Sequence, residues 1–305
     1  MSLWQRFRKS YLLYSFLRDP VAVGSFIILF FLAFVAFAAP IIAPHDPYDT
    51  ATIDLLDSEI PPAWMPTGES RFLLGTDAQG RDMLSTMLYG ARTSLLIGIG
   101  AVALQAFLGM MVGLLSGYAG GRIDSFLMRI ADVQLSFSTY MVAIFLGAIF
   151  KTIFGVGLYN DVAIPFLILV IGLAEWPQIA RTVRASVLGE KKQEYVEAAR
   201  VIGLPARRIV LRHILPNTMT PVLVISTVQV ANAIMSEAAL SFIGLGMPVT
   251  KPSLGSLIKA GFEYIFSGSW WITLFPGVVL VTLILAINLL GDWLRDFLNP
   301  KLYKG

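Results

Sequence analysis

Cysteine is absent from all 305 residues. That excludes disulfides, a thiolate metal site, a cysteine nucleophile and a cysteine-ligated iron–sulfur cluster. Histidine occurs only at His45 and His213. Charge is scarce too: Asp, Glu, Lys and Arg make up 14% of the chain, against about 25% in a soluble domain. Most of this chain cannot be kept wet, so an ordinary cytosolic enzyme is excluded. Disorder is excluded by the opposite feature, a chain 56% hydrophobic and 12% aromatic with a mean hydropathy of +0.72. The net charge of +3 and pI near 9.1 fit basic loops of a membrane protein, not a nucleic-acid binder.

Catalytic signatures are missing as well. There is no G-x-x-x-x-G-K-[ST] phosphate loop, no H-E-x-x-H and no G-x-S-x-G. No catalytic residue, no metal site and no cofactor bound by this chain is expected. If the chain performs work, its energy source lies elsewhere.

What is present is a series of stretches free of Asp, Glu, Lys and Arg: 20–44, 93–121, 133–150, 162–174, 214–236 and 264–291. About 20 apolar residues cross a bilayer core. The fourth stretch is short, and it reaches that length only by continuing through Glu175, Trp176 and Pro177 toward Arg181. A seventh piece, 238–250, holds Gly244, Gly246 and Pro248 and suits a re-entrant or interfacial element. The predicted fold class is therefore an all-α membrane protein with six transmembrane helices. Its divisions are 1–44 (N-terminus and first span), 45–92 (outer loop), 93–291 (a five-helix core with loop 181–213) and 292–305 (tail).

With six spans the termini share a side, and that side holds 17 of the 23 Lys and Arg residues. Basic loops mark the cytoplasmic face, so both termini are predicted cytoplasmic. Loop 45–92 then lies outside, opening with Asp46, Asp49, Asp54, Asp57 and Glu59. The apolar run 21–39 exceeds a signal-peptide core of about 7–15 residues, so the first span is expected to stay as an anchor.

Gly109, Gly113, Gly117 and Gly121 recur every four residues and are predicted to form one packing face. A gliding surface in a moving bundle would carry the same spacing. Glu175 and Glu237 are the intramembrane charges to weigh, both placed near span ends where a carboxylate reaches water. Gln229, Asn232 and Glu237 are the candidates for a translocation pathway. Interhelical hydrogen bonding is the other role open to the two amides and to Gln105.

Lys191 to Ile202 is predicted to be a short helix with Tyr195, Ala198, Ala199 and Ile202 along one stripe. Gly203 ends it, and Pro205 opens the next turn. A short amphipathic helix tethered at both ends to membrane helices suits docking into a partner's groove. It would also suit a helix lying on headgroups.

The run Glu197-Ala198-Ala199, then three residues, then Gly203, then Leu215-Pro216, resembles the EAA loop of ABC-importer permeases; His213 stands where that family usually has isoleucine. Leu74 to Asp82, then Gly90 to Leu95, is similar to the outer loop of the C-type permeases for dipeptides, oligopeptides and nickel. So are Glu237 to Phe242, Trp270-Trp271 through Gly277, and the ending from Asn288 to Asn299-Pro300. For the outer motif, the residues themselves predict a capping box from Thr76 and Gln79 that opens a helix toward Tyr89.

The resemblance implies a type I permease fold in a bacterial cytoplasmic membrane. It implies a second homologous permease subunit, two ATPase subunits or domains carrying ATP and Mg, and an extracytoplasmic solute-binding protein. It makes Glu197, Ala198, Ala199 and Gly203 the ATPase contact, with Arg200, Arg207 and Arg208 as salt-bridging neighbours. Import of peptides by alternating access follows. A stand-alone secondary transporter or channel, and a membrane-embedded enzyme, are the other classes. Ion-gradient uptake or catalytic turnover by the chain alone would mark them.

Overall fold

The computed structural model describes residues 11–49, 53–248 and 250–298. The basic residues Arg6, Arg8 and Lys9 and the ending Asn299-Pro300 lie outside the described residues. Nine helices of eight residues or more are found among those described: α1 (Tyr11–Arg18), α2 (Pro20–Phe37), α3 (Met83–Ala119), α4 (Gly121–Ser136), α5 (Thr139–Glu190), α6 (Glu194–Val201), α7 (Leu215–Phe242), α8 (Leu254–Phe262) and α9 (Trp271–Phe297). Five of the helical stretches are long and apolar enough to cross a membrane.

The count of five against six expected spans comes from α5. Its 52 residues would extend about 78 Å if straight, over twice the roughly 30 Å of a bilayer core. It is not straight. Gly155 has φ +81° and ψ 161°, and Val162 also leaves helical geometry. The rings of Phe150 and Phe166 lie 5.1 Å apart, although sixteen residues of straight helix would separate them by about 24 Å. The chain therefore folds back between 155 and 162. The third and fourth apolar stretches are the two arms of this hairpin, and the second arm runs on to Glu190 through Pro165 and Pro177.

Several ends fall beyond the charge-free stretches. α3 starts at Met83, ahead of Arg92, because Asp82 caps it by accepting from Ser85 N. The expected capping box is absent: Thr76 Oγ1 donates to Asp57 O at 2.6 Å and accepts from Ile60 N at 2.8 Å. α7 runs past Glu237 to Phe242. Residues 133–136 belong to α4, and α9 begins at Trp271, after Gly268 at φ +103°. α8, unforeseen as a helix, is opened by a reciprocal cap between Ser253 and Ser256. It approaches α7 so closely that a Cβ at Gly255 would meet Ala238 Cα at 2.4 Å.

Gly109, Gly113 and Gly117 form a groove that receives α5. A Cβ on them would lie 2.7, 2.6 and 2.8 Å from Ile179 Cβ, Ala180 O and Val187 Cβ. Ordinary side chains would hold the helices apart there. Gly121 does not join the row. α3 ends at Ala119, Gly120 and Gly121 turn the chain with φ of +68° and +55°, and a Cβ on Gly121 would meet nothing.

Candidate functional site

α6 hangs between the end of α5 and the start of α7. Two apolar stripes compete on so short a helix. The one that turns inward is Val196 and Ala199, which join Val183, Val187, Ile209 and Ile214 in one cluster. The expected stripe of Tyr195, Ala198, Ala199 and Ile202 is split: only Ala199 is buried. Tyr195 instead bonds the Glu190 carboxylate and accepts from Asn217 Nδ2 at 2.8 Å, tying α6 to both neighbouring long helices. A branched Val196 fills the inner gap better than a ring whose hydroxyl needs polar company.

The helix stops through hydrogen bonds from Gly203 N to Arg200 O (2.9 Å) and from Leu204 N to Ala199 O (3.1 Å). Together with φ +83° at Gly203, these make a Schellman turn. Glu197, Ala198, Arg200, Gly203, Arg207 and Arg208 are all exposed. Val201 and Ile202 are 88% and 77% exposed. The tip thus presents apolar side chains ringed by charge, the composition of a surface awaiting a partner.

The base beneath α6 is braced. Arg184 donates through Nε and Nη2 to the two Asp124 oxygens, each at 2.6 Å, and Asp124 also accepts from Ser116. The Arg184 guanidinium holds the Asp124 carboxyl below its ordinary range. Lys191 Nζ donates to Tyr118 O at 2.6 Å, satisfying a carbonyl of the last turn of α3.

The candidate pathway residues are placed differently. Glu237 is 0% exposed and does not reach water, as its expected place at a span end required. It accepts from Ser94 (2.8 Å) and Ser241 (2.6 Å). Glu175 is also buried, with Thr139, Gln105 and Ser236 around it. Gln229 is sealed between Gln105 and Asn232, and only Asn232 of the three is half-buried. These groups knit α3, α5 and α7 together; for Glu237 and Gln229 a place in a pathway would require those helices to part.

At the far end of the bundle the outer motif is a knot. Asp77 accepts from Gln79 N, Arg81 N and Arg81 Nε, and the Arg81–Asp77 ion pair at 2.6 Å is nearly fully buried. Trp271 Nε1 donates to Thr76 O at 3.0 Å, fastening the outer loop to α9. Tyr159, in the hairpin bend, donates to Leu245 O and Gly246 O.

Residues 109–304 match the family described as binding-protein-dependent transport system inner membrane component. Residues 2–62 match the N-terminal TM domain of oligopeptide transport permease C. The chain is 38% identical to a di/tripeptide transport system permease protein DppC of Pseudomonas aeruginosa, over 94% of this chain and 90% of that one. It is 36% identical to the oligopeptide transport system permease protein OppC of Haemophilus influenzae, over 98% and 89%. Among solved structures, a chain of the inward-facing MetNI methionine ABC transporter aligns with a TM-score of 0.56. It is 20% identical and covers 71% of this chain and 98% of that chain.

Proposed function

The chain belongs to the family of binding-protein-dependent transport system inner membrane components, and from that membership we propose a division of labour around it. It is a permease subunit of an ABC importer for di- or oligopeptides. It crosses a bacterial cytoplasmic membrane six times, the two arms of α5 counting separately, with both termini in the cytoplasm. It is non-catalytic. A second homologous permease subunit completes the path. Two ATPase subunits or domains bind ATP and Mg, and an extracytoplasmic protein delivers the peptide.

The observation that carries this reading is α6. It is eight residues long, its inner stripe is locked to the bundle, and its outer face and apolar tip lie open. Glu197, Ala198 and Gly203 form the ATPase contact, flanked by Arg200, Arg207 and Arg208; Ala199, expected in that contact, faces the bundle instead and supports it from behind. Closure of the ATPase dimer on ATP moves α6, and the helices around it reorient between inward and outward packings. The glycine row at Gly109, Gly113 and Gly117 keeps α3 and α5 together during that motion.

The test is reconstitution of the permease pair with its ATPases and binding protein in vesicles. Peptide uptake driven by internal-side ATP supports the reading. Uptake that persists with α6 deleted, or that an ion gradient alone sustains, sinks it.

A further inference from the structure

A cavity of about 340 Å³ lies at the end of the bundle opposite α6. α7, with its 28 residues, separates the two ends by about 42 Å. Four segments distant in sequence wall the cavity: the outer-loop knot at 77–81, the hairpin bend of α5, the loop after α7, and α8. Its volume lies within the range of small-molecule sites, roughly 300–1,000 Å³. That space is enough for a dipeptide such as Ala-Ala, whose eleven non-hydrogen atoms, being bonded, each take less than the roughly 30 Å³ of a liquid water molecule.

The charges in the wall fall into two groups. Asp77 and Arg81 neutralise each other. Lys151, Lys259 and Glu263 do not: among the described residues none of the three has an ion-pair partner. Lys151 and Lys259 are both half-buried. The Lys151 ammonium sits 4.1 Å from the centre of the Tyr159 ring, and that ring is fixed by its bonds to Leu245 O and Gly246 O. Lys259 turns toward Gly244, where a Cβ would lie only 2.6 Å from its Nζ. Glu263 stands one helical turn from Lys259, yet the two make no ion pair. The glycine at 244 makes room for the ammonium, and the aromatic face steadies the other.

Two partly desolvated ammonium groups and one free carboxylate around a dipeptide-sized space are complementary to a zwitterion. We propose that this cavity is an outward-side subsite for free peptide termini. Lys151 and Lys259 bind the terminal carboxylate, and Glu263 faces the terminal ammonium. The inference rests on the peptide-importer reading and adds to it a site within this chain that discriminates free from blocked termini.

The experiment uses the full transporter, with uptake of Ala-Ala compared with Ala-Ala amide. Lys151→Gln and Lys259→Gln should each raise KM for Ala-Ala roughly tenfold, the worth of one charge-assisted hydrogen bond, with kcat little changed. The preference for the free acid over the amide should fall toward unity, and Lys259→Arg should keep it. An unaltered preference in the Lys151→Gln/Lys259→Gln double variant overturns the subsite. A transporter that takes up no peptide overturns the importer reading instead. The cavity is then judged separately, by NMR of carbon-13 dimethylated lysines in the intact complex. Signals of Lys151 and Lys259 that move with Ala-Ala and not with its amide support the subsite. No movement, or equal movement with both, overturns it.

Discussion

Ser94 Oγ donates to Glu237 Oε2 at 2.8 Å across 143 residues of sequence, and the same Ser94 oxygen accepts from Leu254 N at 3.3 Å. One serine on α3 thereby joins the carboxylate of α7 to the first turn of α8. The end of the bundle opposite α6 is built around this point.

Glu237→Ala should therefore loosen α8 as well as α7. It leaves the Ser94 and Ser241 hydroxyls without their acceptor in a buried setting, a loss of about 1–3 kcal/mol. Thermal denaturation of the purified permease should show it. A double-mutant cycle with Ser94→Ala should give strong coupling, and additive losses would mean that the bond contributes little.

Gly113→Val should part α3 from α5, because its Cβ would sit 2.6 Å from the Ala180 carbonyl and 2.7 Å from Val183 Cβ. Overpacking of this kind costs about 1–3 kcal/mol or more. Gly24→Ala, on α2 with nothing within 4 Å of its Cβ, is the control and should be neutral. Stability in detergent, compared for the two, decides.

At Gly203 the shape of the turn and the charge of the surface can be separated. Gly203→Ala strains a backbone at φ +83° by about 1–2 kcal/mol. Gly203→Asn tolerates that geometry better and should retain transport. Gly203→Asp should abolish transport while leaving the protein inserted, by placing a carboxylate on the proposed docking face. Membrane fractionation and peptide uptake are the two readouts; full uptake by the Asp variant would remove Gly203 from the contact.

Asp124 predicts an acid dependence. Its folded pKa lies below the ordinary 3.8, chiefly through the hydrogen bonds from Arg184. The stabilisation is complete above the unfolded value and is lost as pH falls through the folded one. Asp124→Asn should flatten the acid side of the stability profile without changing its neutral plateau otherwise than by a constant offset. A profile of unchanged shape would mean that other carboxylates govern it.

Topology can be read on a background free of cysteine. A cysteine placed at Asp54 should react with an impermeant reagent from outside, and one at Lys192 only from inside. The reverse pattern would invert the orientation.

The apolar helices were legible because charge-free runs are a direct consequence of lipid. Their ends were not, and Glu237 shows why. Reading a carboxylate as a boundary assumes that it needs water, but Ser94 and Ser241 take water's place and α7 continues. On α5, where the fourth span was expected to run on through Glu175, Thr139, Gln105 and Ser236 take the same part. Thr76 carried the spacing of a cap, yet Asp82, closer to the helix, does that work while Thr76 bridges the outer loop. The start of α8 was announced by Ser253 and Ser256, three apart after Pro252, but Gly255 and Gly261 hid its helical period. α6 and its glycine stop were visible as a pattern; which stripe faced inward was not, since Val196 and Tyr195 differ by a single position. The lysine-bearing cavity was invisible, because its walls come from four separated segments.

Val183 and Val187 meet the glycine groove of α3 on one side and belong to the same cluster as Val196 and Ala199 on the other. Besides the short turn at 191–193, packing thus couples the small helix to the two longest ones. A displacement applied at α6 would press on α3 and α5 together through these contacts. Gly155, where a Cβ would meet nothing within 4 Å, leaves one end of the hairpin bend of α5 loosely packed, while Tyr159 fastens its other end to the loop after α7.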